Sequence, residues 1–287
     1  MWQRFHRGPR VQWTPRTGLV EAVLDLTRGQ VNLSHSEASG EEAVARAASR
    51  FDVTGRRVLL AGAGGHIGRG LAKALSGAGA RLALGDLDPQ ALDAAPFAAA
   101  VDVTDEAAVG GFVDAAAEAL GGVDALVNAA GLLPIARADA LAPADFRACL
   151  EVNLTGAFLL ATAARRHMGE GATQVHIASV SSLVANPGYA AYAASKAGLA
   201  HLVRVLAREW ARDGITVNAL APSMLEEGMA AGYLADPRFR ERALSEIPLR
   251  RFATVEDLAG PLQMLLSPAG GYITGQVIPV DGGRTIV

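Results

Sequence analysis

A single cysteine, Cys149, stands in a chain of 287 residues. No internal disulfide can form, which points to a reducing, cytoplasmic compartment and removes any need for a thiol mechanism. Cys149 falls in FRACLEVN, a helical stretch where buried filler is its expected role. Long apolar runs are missing too. Hydrophobic residues make up 51% of the chain, yet glycine and charged residues interrupt every run before the ~20 needed to cross a bilayer. The chain therefore reads as soluble, with no membrane partner. Nor is there an excess of positive charge: a formal net charge of −3 and a pI near 6.1 leave no basic footprint for nucleic acid. No internal repeat or low-complexity tract is present, and no metal site is expected. The length suits one α/β domain with an appendage.

The appendage is residues 1–50. Arg4, Arg7, Arg10 and Arg16 precede the first acid, Glu21, but no apolar core follows as a secretory signal requires. Pro9 and Pro15 break the amphipathic helix that an organelle transit peptide would need. Helical spacing is expected over Leu19–Leu26 and again over Glu41–Phe51, the second after Ser39-Gly40 as N-cap. Trp2, Phe5 and Trp13 suit either an arm packed on the domain or on a second subunit, or a disordered extension.

From Arg57 strands and helices alternate, the signature of a parallel sheet covered on both faces. RRVLLAG is the first strand, and Gly62-Ala-Gly-Gly65-His66-Ile67-Gly68 the turn into a helix reaching about Leu75. Glycines there let backbone N–H groups and the helix N-terminus approach a pyrophosphate. A lone glycine-rich loop says little, but the next strand, RLALGD, ends in Asp86. That carboxylate can accept the hydroxyls of an adenosine ribose and would repel a 2′-phosphate. Neither Gly65 nor Leu87 brings a compensating cation, so NAD is expected over NADP. The strand VDALVN then delivers Asn128-Ala129-Ala130-Gly131, small residues that let a cofactor cross the carboxyl end of the sheet. One helix is expected over about Ala144–His167, with Asn153 inside it.

In the next βα unit, QVHIAS reads as a buried strand ending at Ser179, and a helix is expected from Tyr192 to Trp210. Tyr192 and Lys196, at i and i+4, share one face of it. The ammonium is expected to lower the phenol's pKa, tuning it to exchange a proton with a substrate oxygen that Ser179 could hold. Tyr189 has no such lysine, because position 193 is alanine. Further on, GITVNALAPS reads as a strand, and Met224–Leu249 offers Met224, Leu225, Met229, Tyr233 and Leu234 either as a lid or as simple packing. Thr254 and Asp257 are placed for a capping box, Pro261 should kink the helix that follows, and Pro279 suggests that the last strand lies at an edge.

Ser179, Tyr192-Ala193-Ala194-Ser195-Lys196, Asn153 and Asn128-Ala-Ala-Gly131 together resemble the active-site set of the short-chain dehydrogenase/reductase family. The likeness runs from about Phe51 to the C-terminus. It implies a doubly wound Rossmann domain over residues 51–287 with residues 1–50 as an extension, and a homo-oligomer, dimer or tetramer. Within it Asp102, followed by Val103, would hold the adenine edge, though capping the helix after Thr104 is the plainer role. Lys196 would also grip the nicotinamide ribose, and Asn153 would support a water that passes protons from Lys196 to solvent. Ile67, Leu87, Ala129 and Pro222 complete the expected cofactor contacts. The stretch after Lys196 is too short for the separate lobe of the extended members.

Four positions depart from the compact pattern. Ala61 replaces a threonine, His66 a glycine, Ser223 a glycine, and Glu227 the threonine that contacts the nicotinamide amide. The resulting expectation is an NAD-dependent oxidoreductase interconverting a secondary alcohol and a ketone on a small polyol, sugar acid or hydroxy compound. A 3-oxoacyl thioester reductase using NADPH is the alternative, for which Arg250 and Arg251 are the available cations. A non-catalytic nucleotide sensor is the other.

Overall fold

A computed structural model of the chain describes residues 21–25, 30–34, 49–92 and 95–286. Contacts divide the chain into two units, Met1–Arg50 and Phe51–Val287. In the first, β1 (Glu21–Asp25) and β2 (Gln30–Ser34) pair antiparallel, with Ala22 opposite Leu33 and Leu24 opposite Val31. Where a helix is expected over Leu19–Leu26, the described residues, Glu21–Asp25, form a hairpin strand. A short apolar run fits either period, and the alternating QVNLS that follows decides it. The helix expected over Glu41–Phe51 lies mostly outside the described residues, as do the early arginines and Trp2, Phe5 and Trp13.

The second unit alternates strand and helix. Its strands are β3 (Arg57–Ala61), β4 (Arg81–Asp86), β5 (Phe97–Ala100), β6 (Ala125–Asn128), β7 (Thr173–Ile177), β8 (Thr216–Pro222) and β9 (Val277–Val280). They form one parallel sheet in the order β5-β4-β3-β6-β7-β8-β9. The winding reverses between β3 and β6, so the loops leaving their carboxyl ends diverge and open a crevice. Both faces are covered, and successive β3 residues feed opposite cores: Leu59 and Ala61 one, Val58 and Leu60 the other. Pro279 lies in the edge strand, where a missing N–H costs no ladder bond on the outer side.

Helix α1 (His66–Gly77) follows β3, and α2 (Glu106–Leu120) follows β5. Asp105 caps α2, accepting the N–H groups of Ala107 and Ala108 at 2.8 and 3.1 Å. Asp102 does not cap it; its carboxylate accepts the N–H and hydroxyl of Thr104 in the preceding turn. The long helix expected over Ala144–His167 is broken into α3 (Pro143–Leu150) and α4 (Gly156–Arg165) by a π turn, Glu151–Thr155. Its cause is tertiary: Asn153, inside the turn, is pulled onto the backbone of Leu132. Beyond α5 (Ala190–Trp210), the short α6 (Ala231–Leu234) and α7 (Pro237–Ser245) build a small core of their own around Leu234, Ala243, Ile247 and Phe252. Helix α8 (Val255–Leu266) carries the Thr254–Asp257 capping box and continues through Pro261. Among the described residues no helix is long and apolar enough to cross a membrane.

The sheet tolerates little extra volume where β4 meets α2. A Cβ on Gly85 would stand 2.5 Å from Phe112 Cζ and 2.8 Å from Val101 Cγ1, both side chains buried. Gly85→Ala is expected to lower unfolding free energy by about 1–3 kcal/mol, read from the urea midpoint. An unchanged midpoint would show that Phe112 repacks freely.

Candidate active site

At the carboxyl ends of the strands lies a cavity of about 780 Å³. One end is built by the β3–α1 turn. Gly62 has φ +77, and a Cβ there would stand 2.3 Å from the Ala130 nitrogen. A Cβ on Gly68 would reach within 2.0 Å of the Gly62 carbonyl, so only glycine lets α1 pack this closely on its own turn. Gly65, in extended backbone, leads the chain into α1 with its N-terminal amides beside the cavity. Asp86 closes this end, its Oδ2 accepting the Gly64 N–H at 2.8 Å. Leu87 beside it is 71% exposed and supplies no charge. Such a cradle, with glycine wherever the turn packs closest, open to a helix N-terminus and flanked by a carboxylate, fits a dinucleotide.

The cavity's inner wall holds the Tyr-Lys pair. Tyr192 and Lys196 are both buried on α5, with the Lys196 nitrogen 5.7 Å from the Tyr192 ring centre. Lys196 donates to the Ile177 carbonyl at 2.8 Å. Ser179, just past β7, hydrogen-bonds the Tyr192 phenol, and its Oγ also accepts the Ser181 N–H at 3.1 Å. Asn153 bridges the Leu132 backbone and α5: its Oδ1 accepts the Leu132 N–H at 2.7 Å. Its Nδ2 donates to the Leu132 carbonyl and to Ser195 Oγ, both at 2.9 Å. Ser195 in turn donates to the Tyr192 carbonyl, so the π turn is tied directly to the Tyr-Lys helix.

One expectation is corrected here. The phenol is not lowered: burial pushes Tyr192 up to about 12, and the Ser179 hydrogen bond opposes this only in part. Burial likewise brings Lys196 down to about 8. Removal from water dominates both groups, because desolvation penalises each charged form.

Of the remaining residues singled out from the sequence, Ile67, Asp102, Val103, Ala129, Gly131 and Pro222 line the same cavity. Asn128 and Asn153 do not line it. Asn128 is buried behind the wall, where its Oδ1 accepts the Ala130 N–H and shapes the turn over which Gly131 lies. Two of the four anomalous positions meet: His66 Nδ1 lies 3.3 Å from Glu227 Oε2. Ser223 contributes a buried hydroxyl that has no partner among the described residues. Arg250 and Arg251 lie away from the cavity, and Arg251 is held by both oxygens of Asp257. Arg242, Glu246, Asn186 and Arg284 do line it. Nothing in their local sequence marks them, since they come from three separate segments that only the fold assembles.

A family model described as enoyl-(acyl carrier protein) reductase matches residues 62–285. A solved short-chain type dehydrogenase/reductase from Mycobacterium marinum superposes with a TM-score of 0.76 at 31% identity, covering 83% of this chain and 98% of that one. The chain belongs to the short-chain dehydrogenase/reductase family. Gluconate 5-dehydrogenase of Gluconobacter oxydans is 34% identical over 249 residues, 82% of this chain and 97% of the relative. A gluconate 5-dehydrogenase from Burkholderia cenocepacia J2315, solved in complex with NADP and tartrate, has a TM-score of 0.79 at 35% identity over 84% of this chain and 99% of that one. As a short-chain dehydrogenase/reductase, the protein is an NAD(P)-dependent dehydrogenase acting on CH–OH groups.

The depressed Lys196 pKa sets a pH signature for this member of the family. Between pH 8 and 10.5 the unfolded chain holds a proton on Lys196 that the folded chain releases, so folding gains stability as pH rises. Relative to Lys196→Met, the unmodified protein should gain about 3 kcal/mol across that window, measured by urea unfolding at its two ends. A difference that stays constant with pH would place the Lys196 pKa near its ordinary value.

Proposed function

We propose that the protein is an NAD-dependent dehydrogenase that interconverts a secondary alcohol and a ketone on a small polyol, sugar acid or hydroxy compound in the cytoplasm. The observation that carries this reading is the convergence of Ser179, Tyr192 and Lys196 on one wall of the cavity whose other end holds the glycine turn and Asp86. NAD, when bound, supplies the hydride acceptor and a cationic ring. Gly62, Gly65, His66, Ile67 and Gly68 would hold its pyrophosphate, and Asp86 its adenosine ribose. Asp102 and Val103 would flank the adenine, and Gly131 and Pro222 the nicotinamide end.

In the oxidative direction the Tyr192 phenolate takes the proton of the substrate hydroxyl, and Ser179 donates a hydrogen bond to the same oxygen. Lys196, its nitrogen 5.7 Å from the Tyr192 ring centre, would when charged offset part of the burial that holds the phenol up, and so favour the phenolate. Asn153 holds the π turn and the Leu132 backbone in place behind it. The preference for NAD over NADP rests on Asp86, whose carboxylate faces the cavity with no cation at Leu87. Self-association as a dimer or tetramer is supported by the apolar surface on α3, α4 and α5, where Phe146, Phe158 and Val205 are each exposed by 38–45%.

Two measurements test the reading. Purified protein screened spectrophotometrically with NAD against secondary alcohols, polyols and sugar acids should reduce NAD with one class. Tyr192→Phe should lower that turnover by about 10³-fold with NADH binding retained, and substantial residual activity would remove Tyr192 from the acid-base role. Asp86→Ala should shift the NAD/NADP ratio of kcat/KM at least about tenfold toward NADP; an unmoved ratio would place cofactor choice elsewhere.

A further inference from the structure

The substrate end of the cavity contains an arginine that the acid-base chemistry does not use. Arg284 follows β9 in the turn Asp281-Gly-Gly-Arg284, and its side chain is only 11% exposed although it lines the cavity. The turn is built to present it. Asp281 accepts the N–H groups of Gly283 and Thr285 at 2.9 and 2.8 Å, and Gly282 and Gly283 take φ +63 and +91. A Cβ on Gly282 would stand 2.8 Å from Ile247, so the turn sits flush on the segment after α7.

From Arg284 a ribbon of hydrogen bonds leads to the reacting end. Its Nη2 donates to Asn186 Oδ1 at 2.6 Å, and Asn186 Nδ2 donates to Ser181 Oγ at 3.2 Å. The Ser181 N–H then donates to Ser179 Oγ, which meets the Tyr192 phenol. Arg284 also pairs with Glu246, again through Nη2. Among the described residues no acceptor meets its Nε or Nη1. A guanidinium that lines the cavity with donors to spare is matched best by a planar carboxylate.

The charge balance points the same way. Arg242, one turn before Glu246, lines the cavity with no carboxylate partner among the described residues, its guanidinium 5.5 Å from the Phe239 ring centre. Glu227 is turned to His66. Two guanidinium groups therefore meet one carboxylate at this end, Glu246, which pairs with Arg284, whereas the acids Asp86, Asp88 and Asp102 line the other end of the cavity.

Resting on the dehydrogenase reading above, we infer that Arg284 is a specificity-determining residue that binds the carboxylate of the substrate. The substrate class is then a short polyhydroxy acid, not the corresponding neutral polyol. Glu246 competes for the same guanidinium and holds it when no acid is bound.

The test is calorimetric titration of the full chain, with and without NADH, using D-gluconate, D-glucitol and glucitol 6-phosphate as probes. Gluconate is expected to bind at least about tenfold more tightly than glucitol. Arg284→Gln should abolish that preference, and Arg284→Lys, which keeps the charge but not the fork, should restore part of it. Glu246→Gln removes the competitor and should tighten gluconate severalfold, which guards against Arg284→Gln failing to fold. Equal affinity for acid and polyol, a preference that survives Arg284→Gln, tighter binding of the phosphate ester, or binding of none of the three overturns the inference. Oxidation of neutral polyols without any preference for the acid would sink it and leave the dehydrogenase reading standing. Selective gluconate binding without NAD reduction would do the reverse.

Discussion

An ammonium with almost no access to water sits at the centre of this protein, held by the carbonyl of Ile177 at the end of β7. Burying Lys196 is unfavourable, and its lowered pKa records the cost. What surrounds it can be understood as the structure needed to keep it there. The carbonyl is available because the strand ends at Ile177, and α5 brings the side chain over that end. A neighbouring turn of α5 places Tyr192 beside it, and Ser179, two residues past Ile177, reaches the phenol. Gly131 keeps the space above open: a Cβ there would stand 3.6 Å from the Lys196 nitrogen. Desolvation, and not charge pairing, therefore dominates both groups and favours the neutral form of each.

This constraint explains the π turn. Asn153 has to reach the Leu132 backbone on one side and Ser195 on α5 on the other, and a regular α-helical turn does not deliver both. The widened turn leaves one extra residue in the helix, a local irregularity of the kind that marks functional sites. Cys149, packed against Asn153, Ser195 and Leu132, fills the remaining gap as a small, weakly polar side chain. Its filler role was readable from composition; the π turn was not, because it is imposed by residues far away in the chain.

Local signals were legible wherever one segment carried them whole. The glycine turn between a strand and a helix, the Tyr-Lys spacing, the capping box at Thr254 and the edge position of Pro279 each depend on neighbours in sequence. Signals shared between segments were not. The run at Leu19–Leu26 looked helical until paired with QVNLS, Asp105 took the cap that Asp102 could have filled, and Arg250 and Arg251 drew attention away from Arg242 and Arg284. An arginine four residues past a strand looks like any tail residue. Only the closure of β9 against β8 and the packing of Asp281-Gly-Gly onto Ile247 bring it to Asn186.

The paired anomalies at His66 and Glu227 show how a departure from a family pattern can be internally consistent. A carboxylate in the loop after β8 would be out of place near a helix N-terminus meant for phosphate, because two anions would compete for the same amides. A histidine at the first position of α1 takes that carboxylate instead. The approach is close: Gly228 has φ +91, and a Cβ there would stand 3.2 Å from His66 Cβ. With Glu227 76% exposed, the pair adds little to stability, on the order of 0–1 kcal/mol at such a surface. Its effect is positional. It joins the loop after β8 to the start of α1 and turns Glu227 toward His66, in a cavity that Arg242 and Arg284 also line.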